Sequence, residues 1–441
     1  MRTKHSAVKL KDWMRAVAAV MLVSVLAACG GGGGSSSNNN SSTTLNGGSL
    51  PASPTQQPIA ATAANTVPIT VGQGLSGVVN LPMVSVLICQ PNTSNCATVN
   101  NIQVDTGSFG LRVVASALNL ASNGTTVLNA LQPITLNGAQ LAECATFADG
   151  YTWGTVRTAS VQIGGETAAG IPMQIIGDMA QGTVPSTCSN KGTAENTTGQ
   201  LGANGILGIG TAPTDCGAAC AASASGSNYF TCPSGASCVP TAVPLNQQVA
   251  NPVANFPLDN NGVIVQMPPI LSVSGAAPSA TGTLVFGIGT QSNNALIGSG
   301  AQIYTTDPFG DLNDSVYNGT TVQAFLDSGS NAYFFSDSSL ATPPCPSTYA
   351  GFYCPSSAQT RSVTLVGVNK ATTTASIGIL SAQTLFGGAG NYAFNDLAGQ
   401  IGGNTSFDLG LPFFYGRHVY YGIDRTQGGV NPGGQAPFVA F

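Results

Sequence analysis

The sequence predicts an all-β protein built from two similar lobes. Its 441 residues include 56 glycines, only 7% are charged, and 43% are hydrophobic. The hydrophobic residues recur in short Val, Ile and Leu runs separated by Gly, Pro, Asn and Ser, which is typical of strands joined by turns. The chain is too long for one small core, and one short motif occurs twice, so two related units are expected.

The repeated motif is a strand-like run that ends in an Asp turn. Residues 103–108 read Gln-Val-Asp-Thr-Gly-Ser, and residues 324–330 read Ala-Phe-Leu-Asp-Ser-Gly-Ser. In each copy the glycine permits a sharp turn directly after the carboxylate. Two carboxylates that face each other cannot both ionise, so the pair holds one proton and supplies one acid and one base. Asp105 and Asp327 are therefore predicted to form a water-activating site.

Residues 1–28 have the features of an export leader, since a basic region precedes an apolar run. The run ends in Leu-Ala-Ala-Cys at residues 26–29, which resembles a bacterial lipobox. The resemblance implies that Cys29 is lipidated and that this lipid attaches the protein to the membrane of the bacterial cell envelope. Because Gly30 is not Asp, the outer membrane is expected. An ordinary cleaved signal followed by a chance cysteine is the alternative.

The rest of the chain divides into a tether and two lobes. Residues 29–66 are rich in Gly, Ser, Asn and Thr and show no apolar periodicity, so they are predicted to form a flexible tether. The first lobe is expected over 67–280 and the second over 281–441, with one Asp turn in each. A segment at about 211–244, rich in Ala, Ser, Gly and Cys, is predicted to be an insertion in the first lobe pinned by disulfides.

The strands are predicted from runs of β-branched and aromatic residues. In chain order they are 67–71, 84–88, 97–104, 159–163, 204–210, 263–265, 283–287, 419–424 and 438–441. Residues 111–114 continue the apolar pattern, and residues 406–414 form an apolar-Gly element. The Gly-rich stretch 72–77 matches a dinucleotide-binding spacing, but a strand pattern and not a helix follows it, which excludes that reading. Residues 147–154 have the turn chemistry of a long hairpin tip, whose aromatic side chains can close over a cleft.

Disulfides are the default interpretation of the cysteines in an exported chain, since an even number remains once the leader cysteine is set aside. Cys89 with Cys96 and Cys345 with Cys354 are expected as local staples, and the other pairings stay open. The four cysteines between 216 and 238 leave zinc as an alternative to disulfides. No histidine lies nearby to support it.

Other partners and chemistries are weakly supported. The formal net charge of −5 argues against nucleic acid as a partner. His418 is the only histidine beyond the leader, which excludes a multi-histidine metal site, and no Gly-x-Ser-x-Gly motif occurs. A glycosidase that uses Asp149 or Glu143 lacks a distinctive spacing. We therefore expect no cofactor, no metal and a monomeric protein.

From about residue 67 to residue 441 the chain resembles the pepsin-type aspartic proteases. The resemblance rests on the two Asp turns and on the segments 205–210, 283–287 and 409–424, which follow in the same order. It implies a bilobal, pepsin-like double β-barrel with a cleft between the lobes in which a peptide or protein substrate binds. The chain is also similar to an uncharacterised bacterial lipoprotein family related to those proteases.

The resemblance implies a role for each position of the two turns. Asp105 and Asp327 would activate a shared water for direct attack on a peptide carbonyl, with no covalent intermediate. The serine that ends each turn would hydrogen-bond the outer carboxylate oxygen, and the hydroxyl residue next to each Asp would tie the turns together. The expected supporting residues are Thr106, Gly107, Ser108, Ser328, Gly329 and Ser330.

The resemblance is less complete above the Asp pair. Phe147 falls where the family has its flap tyrosine, and Tyr151 is close enough in sequence to serve instead. Arg112 stands where the family usually has the tryptophan that supports that tyrosine, and Asp408 occupies a usually apolar position. Two functions are therefore carried forward: an aspartic endopeptidase-like hydrolase, and a non-catalytic pepsin-fold surface lipoprotein that binds an extended peptide or polymer.

Overall fold

The structure is a computed structural model that describes residues 44–45, 48–119, 121–122, 125–234, 237–272, 274–426 and 434–441. The predicted leader over 1–28 and the predicted lipidation site Cys29 lie outside the described residues. So does the predicted tether up to residue 43.

Strands are the main regular structure. In the first part of the chain they are β1 (Thr44–Leu45), β2 (Gly48–Ser49), β3 (Thr66–Val71), β4 (Met83–Cys89), β5 (Cys96–Asp105), β6 (Phe109–Val114), β7 (Ala121–Ser122), β8 (Thr125–Thr126), β9 (Gln132–Pro133), β10 (Thr135–Leu136), β11 (Ala139–Thr146), β12 (Gly150–Ile163), β13 (Glu166–Ile176), β14 (Thr193–Ala194), β15 (Gly205–Ile209), β16 (Tyr229–Cys232) and β17 (Val239–Pro240). In the second part they are β18 (Gly262–Gln266), β19 (Ala276–Ala277), β20 (Ala280–Phe286), β21 (Ile303–Thr305), β22 (Leu312–Tyr317), β23 (Thr320–Asp327), β24 (Tyr333–Phe335), β25 (Gln359–Val366), β26 (Thr372–Ile379), β27 (Ala393–Phe394), β28 (Ala398–Gln400), β29 (Ser406–Gly410), β30 (His418–Gly422) and β31 (Phe438–Ala440).

The helices are short. The α-helices are α1 (Val127–Ala130), α2 (Ser186–Ser189), α3 (Thr198–Leu201), α4 (Ala218–Ala222) and α5 (Ala382–Phe386). Single 3₁₀ turns occur at Ala115–Leu118, Gln181–Thr183, Leu245–Gln247, Val253–Asn255, Ser347–Tyr349 and Leu411–Phe414. Within the described part of the chain, none of the helices has the length and apolar character needed to cross a membrane.

Two large sheets carry the two Asp turns. An 18-stranded sheet contains β5, β6 and β15, and a seven-stranded sheet has the order β26-β25-β22-β23-β29-β24-β28. The larger sheet also includes β20 and the last two strands, and β20 pairs with both β3 and β18. Strands from early, middle and late parts of the chain thus form one shared sheet that joins the lobes. This sheet contains strands from both sides of residue 280, where the first lobe was predicted to end.

The weak internal repeat of the sequence is a repeat of structure. β5 ends at Asp105 and runs parallel to β15, which places Asp105 opposite Gly208. β23 ends at Asp327 and runs parallel to β29, which places Asp327 opposite Gly410. A Cβ at Gly208 would lie 2.7 Å from the backbone nitrogen of Phe109, so only glycine allows β15 and β6 to approach this closely. The predicted all-β architecture with two related units, each carrying one Asp turn, is confirmed.

The apolar-Gly element 406–414 contains a strand and a turn. β29 ends at Gly410, and Leu411–Phe414 form a 3₁₀ turn. Pro412 explains why the strand does not continue, because it has no backbone N–H to donate to a sheet.

All five disulfides expected from ten cysteines are present. Cys89–Cys96 and Cys345–Cys354 are the predicted local staples. The remaining pairs, which the sequence left open, are Cys144–Cys188, Cys216–Cys220 and Cys232–Cys238. The predicted insertion at 211–244 is thus pinned twice, and it also adds β16 to the larger sheet beside β11.

Residues 49–65, here called the docked segment, lie against the body of the protein. The side chain of Leu50 is buried in an apolar cluster with residues of both lobes, and Thr360 donates a hydrogen bond of 2.9 Å to the carbonyl of Ser49. Further along, the carbonyl of Ile59 accepts a hydrogen bond of 2.6 Å from Thr283 in the shared sheet. The structure therefore differs from the predicted tether here, because scattered apolar residues and backbone groups find partners that composition does not reveal.

Leu50→Ala is expected to destabilise the protein by about 2–3 kcal/mol, since it leaves a cavity in a packed cluster. Urea unfolding of the full mature chain measures this loss. Leu75→Ala is the matched control, because Leu75 is 46% exposed. Equal midpoints for the Leu50 variant and the parent protein would show that the docked segment does not stabilise the fold.

Candidate active site

The first Asp turn supports its carboxylate with two hydrogen bonds. The backbone N–H of Gly107 donates to Oδ1 of Asp105 over 2.8 Å, and the hydroxyl of Ser108 donates to Oδ2 over 2.5 Å. Asp105 itself is buried. The expected role of Ser108 on the outer carboxylate oxygen matches this geometry.

The second Asp turn repeats the arrangement with one difference. The N–H of Gly329 donates to Oδ1 of Asp327 over 2.8 Å, as in the first turn. The hydroxyl of Ser330 lies farther away, at 3.3 Å from Oδ2 of Asp327 and at 2.6 Å from Oδ2 of Asp408. The two turns therefore have the same fold but unequal serine bonds.

The two carboxyl groups face each other across the turn glycines. A Cβ on Gly107 would collide with the carboxyl of Asp327, and a Cβ on Gly329 would lie 2.5 Å from Oδ1 of Asp105. Glycine is therefore required at both positions. Burial, and then the negative charge of Asp327, raise the pKa of Asp105 to about 7. The structure brings together the predicted pair.

Thr106 and Ser328 tie the two turns together beneath the carboxyl groups. The N–H of Thr106 donates to the hydroxyl of Ser328 over 3.2 Å, and the N–H of Ser328 donates to the hydroxyl of Thr106 over 2.9 Å. Each hydroxyl then donates to a backbone carbonyl of the opposite lobe, Leu326 for Thr106 and Val104 for Ser328. This reciprocal network fixes the relative position of the turns and explains why both residues carry a hydroxyl.

Gln103 is a supporting residue that sequence reasoning did not single out. Its side-chain amide donates a hydrogen bond of 2.9 Å to the carbonyl of Gly329, which links β5 to the second Asp turn. The available signal was the strand period of two, which places Gln103 on the same face as Asp105. A buried polar side chain on that face needs a partner.

Arg112 belongs to a buried cluster of charged and polar side chains. Its guanidinium lies 2.5 Å from Glu143 and 3.4 Å from Asp215, and Tyr229 donates a hydrogen bond to Asp215. Burial raises the pKa of Asp215 well above its usual value, and the charge of Glu143 adds to this, while Arg112 opposes it. We call these four buried residues the arginine cluster.

The two flap candidates lie in different environments. Phe147 is half-buried at the tip of the β11–β12 hairpin, and its ring centroid is 5.9 Å from the guanidinium carbon of Arg112. Tyr151 is almost fully buried and packs in a separate cluster with Trp153 and Cys144. The prediction that Tyr151 serves as a flap residue is therefore wrong. Tyr151 is a core residue, because its side chain on β12 packs into this cluster and not over the Asp pair.

The hairpin is also held close to its tip. The Cys144–Cys188 disulfide joins β11 to α2, and Gly150 and Tyr151 pair in parallel with β14. These links lie next to the turn at 147–149 and restrict how far the hairpin can move.

The candidate metal ligands of the insertion are used in disulfides, which removes the thiolates that zinc needs. Among the residues that the structure describes, no cluster of three or more His, Cys, Asp or Glu side chains could hold a metal ion.

The chain is similar to a solved structure, titled "Crystal structure of aspartic proteinase from Irpex lacteus", at 18% sequence identity and a TM-score of 0.47. The similarity covers 86% of this chain and 97% of that chain. No curated protein matches the chain. Residues 61–441 match the model of a family described as "Protein of unknown function (DUF3443)", and the chain belongs to this family.

Proposed function

We propose that the protein is an aspartic endopeptidase-like hydrolase in which Asp105 and Asp327 activate a water for attack on a peptide bond. The observation that carries this proposal is the buried pair itself. Two carboxyl groups, one from each lobe, face each other across the turn glycines and are held by backbone N–H groups of equivalent turns. Such a pair shares one proton and combines an acid with a base at one point.

The raised pKa of Asp105 assigns the roles. Below about pH 7 this carboxyl retains the proton, so the carboxylate of Asp327 takes a proton from the water. The hydroxide forms a bond to the carbonyl carbon while Asp105 gives its proton to the carbonyl oxygen. The tetrahedral intermediate then collapses: the C–N bond breaks, the amine leaves with the proton held by Asp327, and one hydroxyl of the intermediate returns its proton to Asp105 as the new carboxylic acid forms. No covalent bond to the protein is needed.

The test is a cleavage assay with the purified mature chain and an unfolded protein substrate. We expect cleavage at acidic pH that falls as the pH rises through about 7, because the dyad then loses its shared proton. A statine-type transition-state mimic should block cleavage. Absence of cleavage at every pH between about 3 and 8 would rule out the protease assignment.

A second candidate function is binding of an extended peptide or polymer without cleavage. The observations that favour it are the restrained hairpin and the burial of Tyr151 away from a flap role. A site between two lobes can still bind extended chains when its flap contacts are altered. In the assay above, saturable binding of unfolded substrate without products would support this function instead.

We also propose that the protein acts at the bacterial cell envelope, attached to the outer membrane through a lipid on Cys29, and that it acts as a monomer on peptide or protein substrates. The lipobox-like residues 26–29 support the attachment. Metabolic labelling with a fatty acid tests it, since Cys29→Ala should abolish incorporation of the label.

A further inference from the structure

Asp408 introduces a third carboxyl group beside the dyad. It lies on β29 opposite Phe325, two residues before Asp327, so the two acids lie on the same face of the sheet. In the first lobe the equivalent position on β15 is Ile206, which lies opposite Gln103. The second lobe therefore has a buried carboxyl where the first lobe has an apolar side chain.

Asp408 and Asp327 share one hydroxyl group. The Oγ atom of Ser330 is 2.6 Å from Oδ2 of Asp408 and 3.3 Å from Oδ2 of Asp327. In the first turn, the Oγ atom of Ser108 is 2.5 Å from Oδ2 of Asp105. A hydroxyl has one proton to donate, so the proton that Ser330 gives to Asp408 is withdrawn from Asp327. The two members of the dyad receive unequal support from their serines.

We propose that Asp408 is a positioning residue that acts through Ser330 and raises the pH at which the dyad loses its shared proton. It does so by taking the Ser330 hydroxyl bond away from Asp327 and by placing a negative charge nearby. The meaning of this effect for catalysis rests on the proposed function. The effect on proton binding is a property of the three carboxyl groups and can be measured separately.

The direction of the effect follows from the two protonation states of Asp408. When it is ionised, it accepts the Ser330 proton, and its charge opposes ionisation of Asp327. When it binds a proton, its own O–H donates to Ser330, and Ser330 can turn its proton to Asp327 and stabilise that carboxylate. An ionised Asp408 therefore favours retention of the dyad's shared proton, and a neutral Asp408 does not.

Other titratable groups around Asp408 do not replace this role. Of the strands paired with β29, β23 contributes Asp327 and β24 contributes Tyr333. Burial raises the pKa of Tyr333, so that its hydroxyl stays neutral where carboxyl groups titrate. Asp105 faces the same turn from the first lobe, at Gly329. Of these neighbouring groups, the two carboxyl groups of the dyad are therefore the ones that titrate in the same pH range as Asp408.

The test is a titration of the mature protein labelled with ¹³C at its aspartate carboxyl groups, followed by NMR from about pH 3 to 9. The dyad signals are identified by their loss in Asp105→Asn and Asp327→Asn. In Asp408→Asn and Asp408→Leu we expect the apparent pKa of the dyad to fall by about one unit. If the enzyme is active, the alkaline limb of its pH–rate profile should shift by the same amount.

Asp314→Asn is the matched control. It removes one carboxylate from the same lobe, but Asp314 is exposed and paired with Lys370 at the surface. We expect no shift of the dyad in this variant, because solvent screens its charge. A shift as large as that of Asp408→Asn would mean that any lobe charge acts in this way and would overturn the proposal.

The titration separates the two proposals. An unchanged dyad pKa in both Asp408 variants overturns the role of Asp408, whether or not the parent protein cleaves substrate. A shifted dyad pKa in a protein without cleavage supports that role and removes the proposed function. If the Asp408 variants do not fold, Ser108→Ala should raise the dyad pKa far more than Ser330→Ala, and equal shifts would overturn the proposal.

Discussion

Asp105→Asn is expected to lower the rate of peptide cleavage by at least about 10³-fold, and Asp327→Asn should be as severe. The amide keeps the size of the side chain but can neither release a proton to the carbonyl oxygen nor accept one from water. Initial rates at an acidic pH measure the effect. Substantial activity in either variant would mean that the dyad is not the source of the chemistry.

The free energy of unfolding of Asp105→Asn shows whether a loss of activity in this variant is caused by unfolding. The pKa of Asp105 is about 7 in the folded protein and lower in the unfolded chain, so the folded state binds the proton more tightly. The contribution of this group to stability is therefore full below about pH 4 and decreases as the pH rises towards 7. At neutral pH the variant should be more stable than the parent by on the order of 2–4 kcal/mol. Urea unfolding at acidic and neutral pH measures this difference.

Arg112→Met is expected to destabilise the protein by about 3–5 kcal/mol at neutral pH. Methionine fills part of the same space but removes the guanidinium that lies between Glu143 and Asp215, both of which are buried. Two buried acids then face each other without their cation. Because protonation neutralises these acids, the loss should be smaller at acidic pH. Unfolding midpoints at about pH 8 and pH 4 measure both effects.

Lys370→Met is the control for removing a cation. Lys370 pairs with Asp314, but both side chains are well exposed, so solvent already screens the interaction. Its unfolding midpoint should stay close to that of the parent protein at both pH values. If Arg112→Met behaves in the same way, the arginine cluster does not stabilise the first lobe.

The two Asp turns could be found from sequence because each is a local pattern. Asp105 and Asp327 follow β-forming residues directly, and the small residues after them already specify the turn. The supporting serines and hydroxyl residues come with the same few positions. The fold class followed from similarly local evidence, since short strand runs and turn residues recur along the chain.

Contacts between distant residues could not be found in this way. Gln103 meets Gly329, and Arg112 meets Asp215, only because the sheets place them together. The burial of Tyr151 also depends on partners elsewhere in the chain. Composition alone misrepresented the docked segment, because a few apolar residues among many small polar ones are enough when a complementary surface exists.

The shared sheet has a consequence for the order in which the protein can fold during synthesis. β3 pairs with β20, and β18 pairs with β30, whose other neighbour is β31 at the end of the chain. These pairings join residues far apart in sequence, which slows folding. The sheet that unites the lobes is therefore complete only after Phe438–Ala440 has been synthesised, which is later than the synthesis of both Asp turns.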